Sequence, residues 1–105
     1  MLASTVVLCG GEFGRTPRIN AQAGRDHWPG GFSCLLGGGG IRGGVLIGGT
    51  DPTGEKPTPL DPIEVPDLYA TVLQTLGVDY SRDQPTPIGR PMKYSAGTPI
   101  TRLVS

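Results

Sequence analysis

Only one stretch of this chain carries a helical period, and that limits what the whole can fold into. Residues 65–76 (VPDLYATVLQTL) place Val65, Leu68, Tyr69, Val72, Leu73 and Leu76 at spacings of three and four, the pattern of an amphipathic helix with one apolar face. Pro66 suits the first turn, where its missing N–H is not needed. Asp67 complements the positive end of the helix dipole, and Gly77 can take the left-handed conformation that closes a helix. Everything else is cut short by 18 glycines and 11 prolines among 105 residues, a density that favours turns and loops over long elements.

Between those breaks stand short apolar runs. Residues 4–9 (STVVLC) are β-branched and read as a strand buried on both faces, ended by Gly10 and Gly11. Residues 32–36 (FSCLL) form a second strand candidate, closed by four glycines, and residues 43–49 (GGVLIGG) hold a third. Residues 14–31 have no period and read as a long loop, a length that in a compact domain usually serves function. Residues 50–63, with four prolines, read as a loop or linker, and short extended pieces are expected near 92–94 and 100–104. The run GGGGIRGG is not a phosphate-binding loop. It lacks the Lys-Ser/Thr pair, and no helix pattern follows to offer its amino terminus. A tight turn after a strand explains it better.

The charge balance excludes some classes of partner. Nine basic and nine acidic side chains leave no net charge to draw the chain to nucleic acid or an anionic membrane. No run approaches the roughly 20 apolar residues that span a bilayer. No basic leader with a cleavage site precedes the first strand. Cys9 and Cys34 lie inside apolar runs and read as two buried free thiols rather than a disulfide, with no spacing that suggests zinc.

Ionisable groups concentrate directly after the first strand. Glu12, Arg15, Arg18, Arg25, Asp26 and the single histidine, His27, fall within sixteen residues. In α/β proteins ligands bind outside the carboxyl ends of strands. Glu12 is either a metal ligand or a solvated acid paired with Arg15. Asp26 is either a second ligand or the group that orients His27. Arg15 and Arg25 suit bidentate contact with a phosphate or sulfate, or else salt bridges to Glu12 and Asp26. Trp28 either stacks on a sugar or packs beneath the loop. Carboxylate with imidazole favours zinc, manganese or iron over magnesium.

The segments GGEFGRTPRIN, GRDHW, FSCLLGGGGIRGG and DLYATVLQTLGVD together resemble the family known as domain of unknown function 1501, over nearly the whole chain to about Pro91. That family looks like a branch of the alkaline phosphatase and sulfatase superfamily. The resemblance implies an α/β fold in which residues 1–105 are the carboxy-terminal part of a parallel sheet with flanking helices, the amino-terminal half being absent. It also implies that residues 4–9 and 32–36 are parallel strands with the helix packed on their sheet. Glu12 then matches the acidic metal ligand, and His27 the later histidine before a strand with a Gly-rich turn. Phe13 stands where many members carry a metal-binding histidine, so one divalent ion (zinc, manganese, calcium or iron) is implied rather than two.

The function so implied is metal-dependent hydrolysis of phosphate or sulfate esters, on a small-molecule or glycan substrate. Glu12, His27 and Asp26 would serve the metal, and Arg15 and Arg25 the transferring group. The resemblance further suggests an exported or periplasmic protein. The alternative is a non-catalytic module binding an anionic ligand or glycan. With three short strands, one helix and long loops, the isolated chain is expected to be poorly stable and inert.

Overall fold

The computed structural model describes residues 1–105 apart from 55, 57 and 58, so the loop expected over residues 50–63 lies partly outside the described residues. In order come a 3-10 turn at Leu2–Ser4, β1 (Val6–Gly10), β2 (Gly14–Arg15), β3 (His27–Trp28), β4 (Cys34–Gly38), α1 (Val65–Thr75), β5 (Asp83–Pro85), β6 (Pro91–Lys93) and a 3-10 turn at Thr101–Leu103. The chain divides into two units. One comprises Met1–Val7, Gly37–Val45 and Ile63–Ser105; the other comprises Leu8–Leu36 and Leu46–Pro62.

The strands pair two by two, β1 with β4, β2 with β3 and β5 with β6. The pairs β2–β3 and β5–β6 are antiparallel. So is β1–β4. At one end the Gly39 amide donates to the Thr5 carbonyl at 2.9 Å. At the other, a Cβ placed on Gly10 would stand 3.1 Å from the Cβ of Cys34. Position 5 thus faces 39 and position 10 faces 34, which only opposed strands allow. The expectation of a parallel, alkaline phosphatase-like sheet with flanking helices is therefore wrong. A parallel return needs a crossover of a dozen or more residues, usually helical. Here the residues between β1 and β4 form the small β2–β3 ribbon instead.

The strands are also not buried on both faces, since Val7, Leu8 and Leu35 are 43%, 46% and 63% exposed. Cys9 and Cys34 are free but exposed, against the expectation of burial. Gly10 and Cys34 stand opposite each other, so Cys9, one residue earlier on β1, points to the other face and cannot bridge to Cys34. The third apolar run forms no strand, and only an isolated bridge joins Gly49 to Leu60.

In the first unit, α1 is closed at both ends. The Glu64 amide donates to Asp67 Oδ2 at 3.3 Å, Pro66 sits in the first turn, and Gly77 takes φ 76°. The Gly77 amide donates to the Gln74 carbonyl and the Val78 amide to that of Leu73, both at 2.9 Å. That is the paired closure a left-handed glycine makes possible.

The helix buries Ala70 and Thr71 completely, but Val65, Tyr69 and Leu76 of its apolar stripe are 46%, 57% and 58% exposed. The buried side is held by the carboxy-terminal segment through polar contacts. Thr71 Oγ1 donates to the Asp67 carbonyl and accepts from the Ile100 amide. Asp67 Oδ1 accepts from the Thr98 amide, and Ser95 Oγ donates to the Pro66 carbonyl. Gly97 passes so close that any Cβ would collide with the Pro66–Asp67 peptide. After β4 the glycine run makes a tight turn, as expected. It delivers the buried Ile41 to an antiparallel bridge with Val104, beside an Arg42 amide bond to the Leu103 carbonyl.

Candidate functional site

The ionisable cluster lies wholly in the second unit, on and around the β2–β3 ribbon. Gly14 pairs with Trp28 and Arg15 with His27. Successive strand residues point to opposite faces, and the ribbon divides accordingly. On one face the His27 ring stacks on Phe13, with centroids 3.9 Å apart and planes at 30°. The Arg15 guanidinium carbon lies 5.5 Å from the centre of the same Phe13 ring, a cation–π contact. On the other face Trp28 closes over Gly31 together with Pro59. Gly14 makes this possible, because a Cβ there would collide with the Gly31 carbonyl and press on Phe32.

The segment that joins the two strands is ordered by side chain to backbone bonds, a class of contact with no sequence period. Asn20 Oδ1 accepts from the amides of Gln22 and Gly24 at 3.0 and 2.9 Å, and Asn20 Nδ2 donates to Asp26 Oδ1 at 3.0 Å. The Thr16 hydroxyl donates to the Arg18 carbonyl and accepts from the Asp26 amide. Arg25 donates to the carbonyls of Thr16 and Pro17 at 2.9 and 2.6 Å, and Arg15 donates to the Arg25 carbonyl at 3.1 Å.

These contacts separate the candidate residues. Arg25 braces the loop from within. Asp26 is tied to Asn20, and Arg15 is shared between Phe13 and a carbonyl. Neither arginine forms a salt bridge to Glu12 or Asp26. Glu12 and His27 are exposed, and among the described residues neither side chain makes a hydrogen bond. Glu12 directly precedes Phe13, the residue on which His27 stacks. Among the described residues no group of three or more His, Cys, Asp or Glu side chains is placed to hold a metal. The donor chemistry of the pair fits one side of a coordination shell.

Arg18 carried no assigned role in the sequence, and the structure gives it a distinct place. With Thr16, Pro17, Trp28, Thr53 and Gly54 it lines an open cleft of about 420 Å³. Among the described residues its guanidinium has no hydrogen-bond or ion-pair partner. The signal that could have found it is its spacing from Arg15 and Arg25, which the loop consumes while leaving Arg18 outside.

Residues 1–104 match the family described as protein of unknown function (DUF1501), and the chain belongs to that family. No curated protein and no solved structure is significantly similar to it. Among the described residues no helix is long and apolar enough to cross a membrane.

Proposed function

We propose that the protein is a metal-dependent hydrolase of phosphate or sulfate esters, to which this chain contributes Glu12 and His27 as ligands of one divalent ion. The observation that carries the reading is the Phe13–His27 stack. It holds the imidazole edge-free beside the residue that follows Glu12, and among the described residues both donors are unengaged. Phe13, unable to ligate, thus acts as the support that fixes the ring. When bound, zinc, manganese, calcium or iron would polarise the ester oxygen. Arg15, whose guanidinium is anchored through one nitrogen, keeps further N–H groups for the oxygens of the transferring group. Arg25 is a positioning residue, since its guanidinium shapes the loop that presents Arg15 and Asp26. Asp26, bonded to Asn20, has a second oxygen left for a ligand or orienting role.

The test is metal content together with hydrolysis of aryl phosphate and aryl sulfate. Glu12→Gln and His27→Ala should each lower bound metal and reduce turnover by about a hundredfold or more, the scale of losing transition-state charge stabilisation. Hydrolysis that persists unchanged in both variants, or metal stoichiometry that neither alters, would overturn the proposal.

A further inference from the structure

The cleft beside Trp28 lies on the opposite face of the β2–β3 ribbon from the Phe13–His27 stack, so it calls for an explanation of its own. Its hydrogen-bonding inventory is specific. Arg18 offers only donors, and among the described residues none is engaged. The two hydroxyls have already committed their protons. Thr16 Oγ1 donates to the Arg18 carbonyl at 2.9 Å, and Thr53 Oγ1 donates to Asp51 Oδ2 at 2.6 Å. Thr16 Oγ1 also accepts from the Asp26 amide at 3.1 Å, so it keeps one acceptor lone pair, and Thr53 Oγ1 keeps two. Trp28 adds a half-buried indole wall.

A ligand that satisfies this set needs an anionic group for Arg18, hydroxyl donors for the two threonines, and an apolar face for the indole. Sulfate or a simple carboxylate has no donors to give, hydrogen phosphate has no apolar face for the indole, and a neutral sugar leaves the guanidinium unpaired. A hexuronate has all three: ring hydroxyls, a C–H face and a planar carboxylate that matches the fork of a guanidinium. A volume of about 420 Å³ falls at the low end of ligand pockets, the size for one such ring rather than a long chain.

We propose that this cleft is a subsite for a single hexuronate unit. The carboxylate pairs with Arg18, the ring stacks on Trp28, and ring hydroxyls donate to Thr16 and Thr53. The site is independent of any metal bound by Glu12 and His27, so it stands or falls separately from the hydrolase reading.

Trp28 is the only tryptophan of these 105 residues and reports binding directly. Fluorescence titration with glucuronate should give a saturable change. Glucose and acetate, which each lack one half of the chemistry, should bind about tenfold or more weakly, the scale of one charge-assisted hydrogen bond. Arg18→Gln should cost glucuronate about tenfold or more in affinity while leaving glucose unchanged. Because the Arg18 guanidinium makes no bond within the described residues, that variant should keep the parent circular dichroism spectrum. Trp28→Phe, followed by calorimetry, should weaken glucuronate and glucose alike. No saturable response at about 50 mM glucuronate, an affinity for glucuronate that Arg18→Gln does not change, or acetate binding as well as glucuronate would each overturn the proposal.

Discussion

Helix α1 with its carboxy-terminal segment and the β2–β3 ribbon with its loop are organised on different terms. All four buried residues among those described (Ile41, Ala70, Thr71 and Ser95) belong to the first unit, and two of them lie on the helix. The ribbon has no buried residue among those described and stands on hydrogen bonds from Thr16, Asn20 and Arg25. Yet the apolar stripe that announces the helix is only partly covered, with Leu68, Val72 and Leu73 half-buried and Val65, Tyr69 and Leu76 exposed. The helix's fully buried side is the opposite one, bonded through Thr71, Asp67 and Pro66. The lesson is that hydrophobic periodicity forecasts that a helix forms, while polar contacts decide which side of it is covered here.

That contrast can be broken most forcefully at Gly97. Gly97→Ala forces a Cβ into the Pro66–Asp67 peptide, and the segment must lift from the helix. A loss of about 3 kcal/mol is expected, the upper range for overpacking, read as faster hydrogen exchange at the amides of Thr98 and Ile100. Thr71→Val is next. It keeps the shape but leaves the Ile100 amide without its acceptor, a cost of about 1–2 kcal/mol in a thermal melt. The matched control is Tyr69→Ser on the exposed stripe, expected to shift stability by less than about 0.5 kcal/mol. A Tyr69 cost equal to that of Thr71 would mean that the stripe is covered in solution.

The ribbon should respond in the opposite sense to one substitution. Ala23 holds φ 60°, a conformation that disfavours any side chain with a Cβ. Ala23→Gly should therefore stabilise the loop by about 1 kcal/mol, seen as slower exchange of the Gly24 amide. The smallest effect concerns the turn after α1. Asp79 Oδ1 accepts from the Ser81 hydroxyl at 2.7 Å and the Ser81 amide at 3.0 Å. These bonds, the hydroxyl first, hold its carboxyl below the usual value of 3.8. A depressed carboxyl favours the folded turn above its unfolded value, and the benefit fades as pH falls through the lower folded one. Ser81→Ala should raise the Asp79 titration midpoint toward 3.8 in a carboxyl NMR titration, and an unmoved midpoint would assign the depression elsewhere.

The helix was legible almost to the residue because spacing, Pro66 and Gly77 all agree, and the structure ends it at Thr75 with Leu76 as its cap. The first strand was legible from its β-branched run, and the second is displaced by two residues toward the glycines. Direction was not. An apolar run reads the same whichever way its partner points, so the β1–β4 pairing could not be read from the two strands alone. The ribbon reads as a loop in the sequence because the bonds of Thr16, Asn20 and Arg25 join residues by chemistry rather than by period. For the site, the cluster from Glu12 to Trp28 was found as a cluster. Residue type alone could not tell that Arg25 faces inward onto carbonyls while Arg18 is left to face a cleft.

The placement of His27 and Trp28 on opposite faces bears on how the ribbon can change by mutation. Two adjacent codons serve two separate surfaces, so a replacement at one need not be compensated at the other. A double variant at His27 and Trp28 measures how far the two faces are coupled through the Arg15, Arg25 and Thr16 bonds of the loop, with departure from additivity as the readout. Gly14 is the exception. It sits opposite Trp28 with no room for a side chain, next in sequence to both Phe13 and Arg15. A substitution there would disturb both surfaces at once, which makes this glycine the least free position in the most polar part of the molecule.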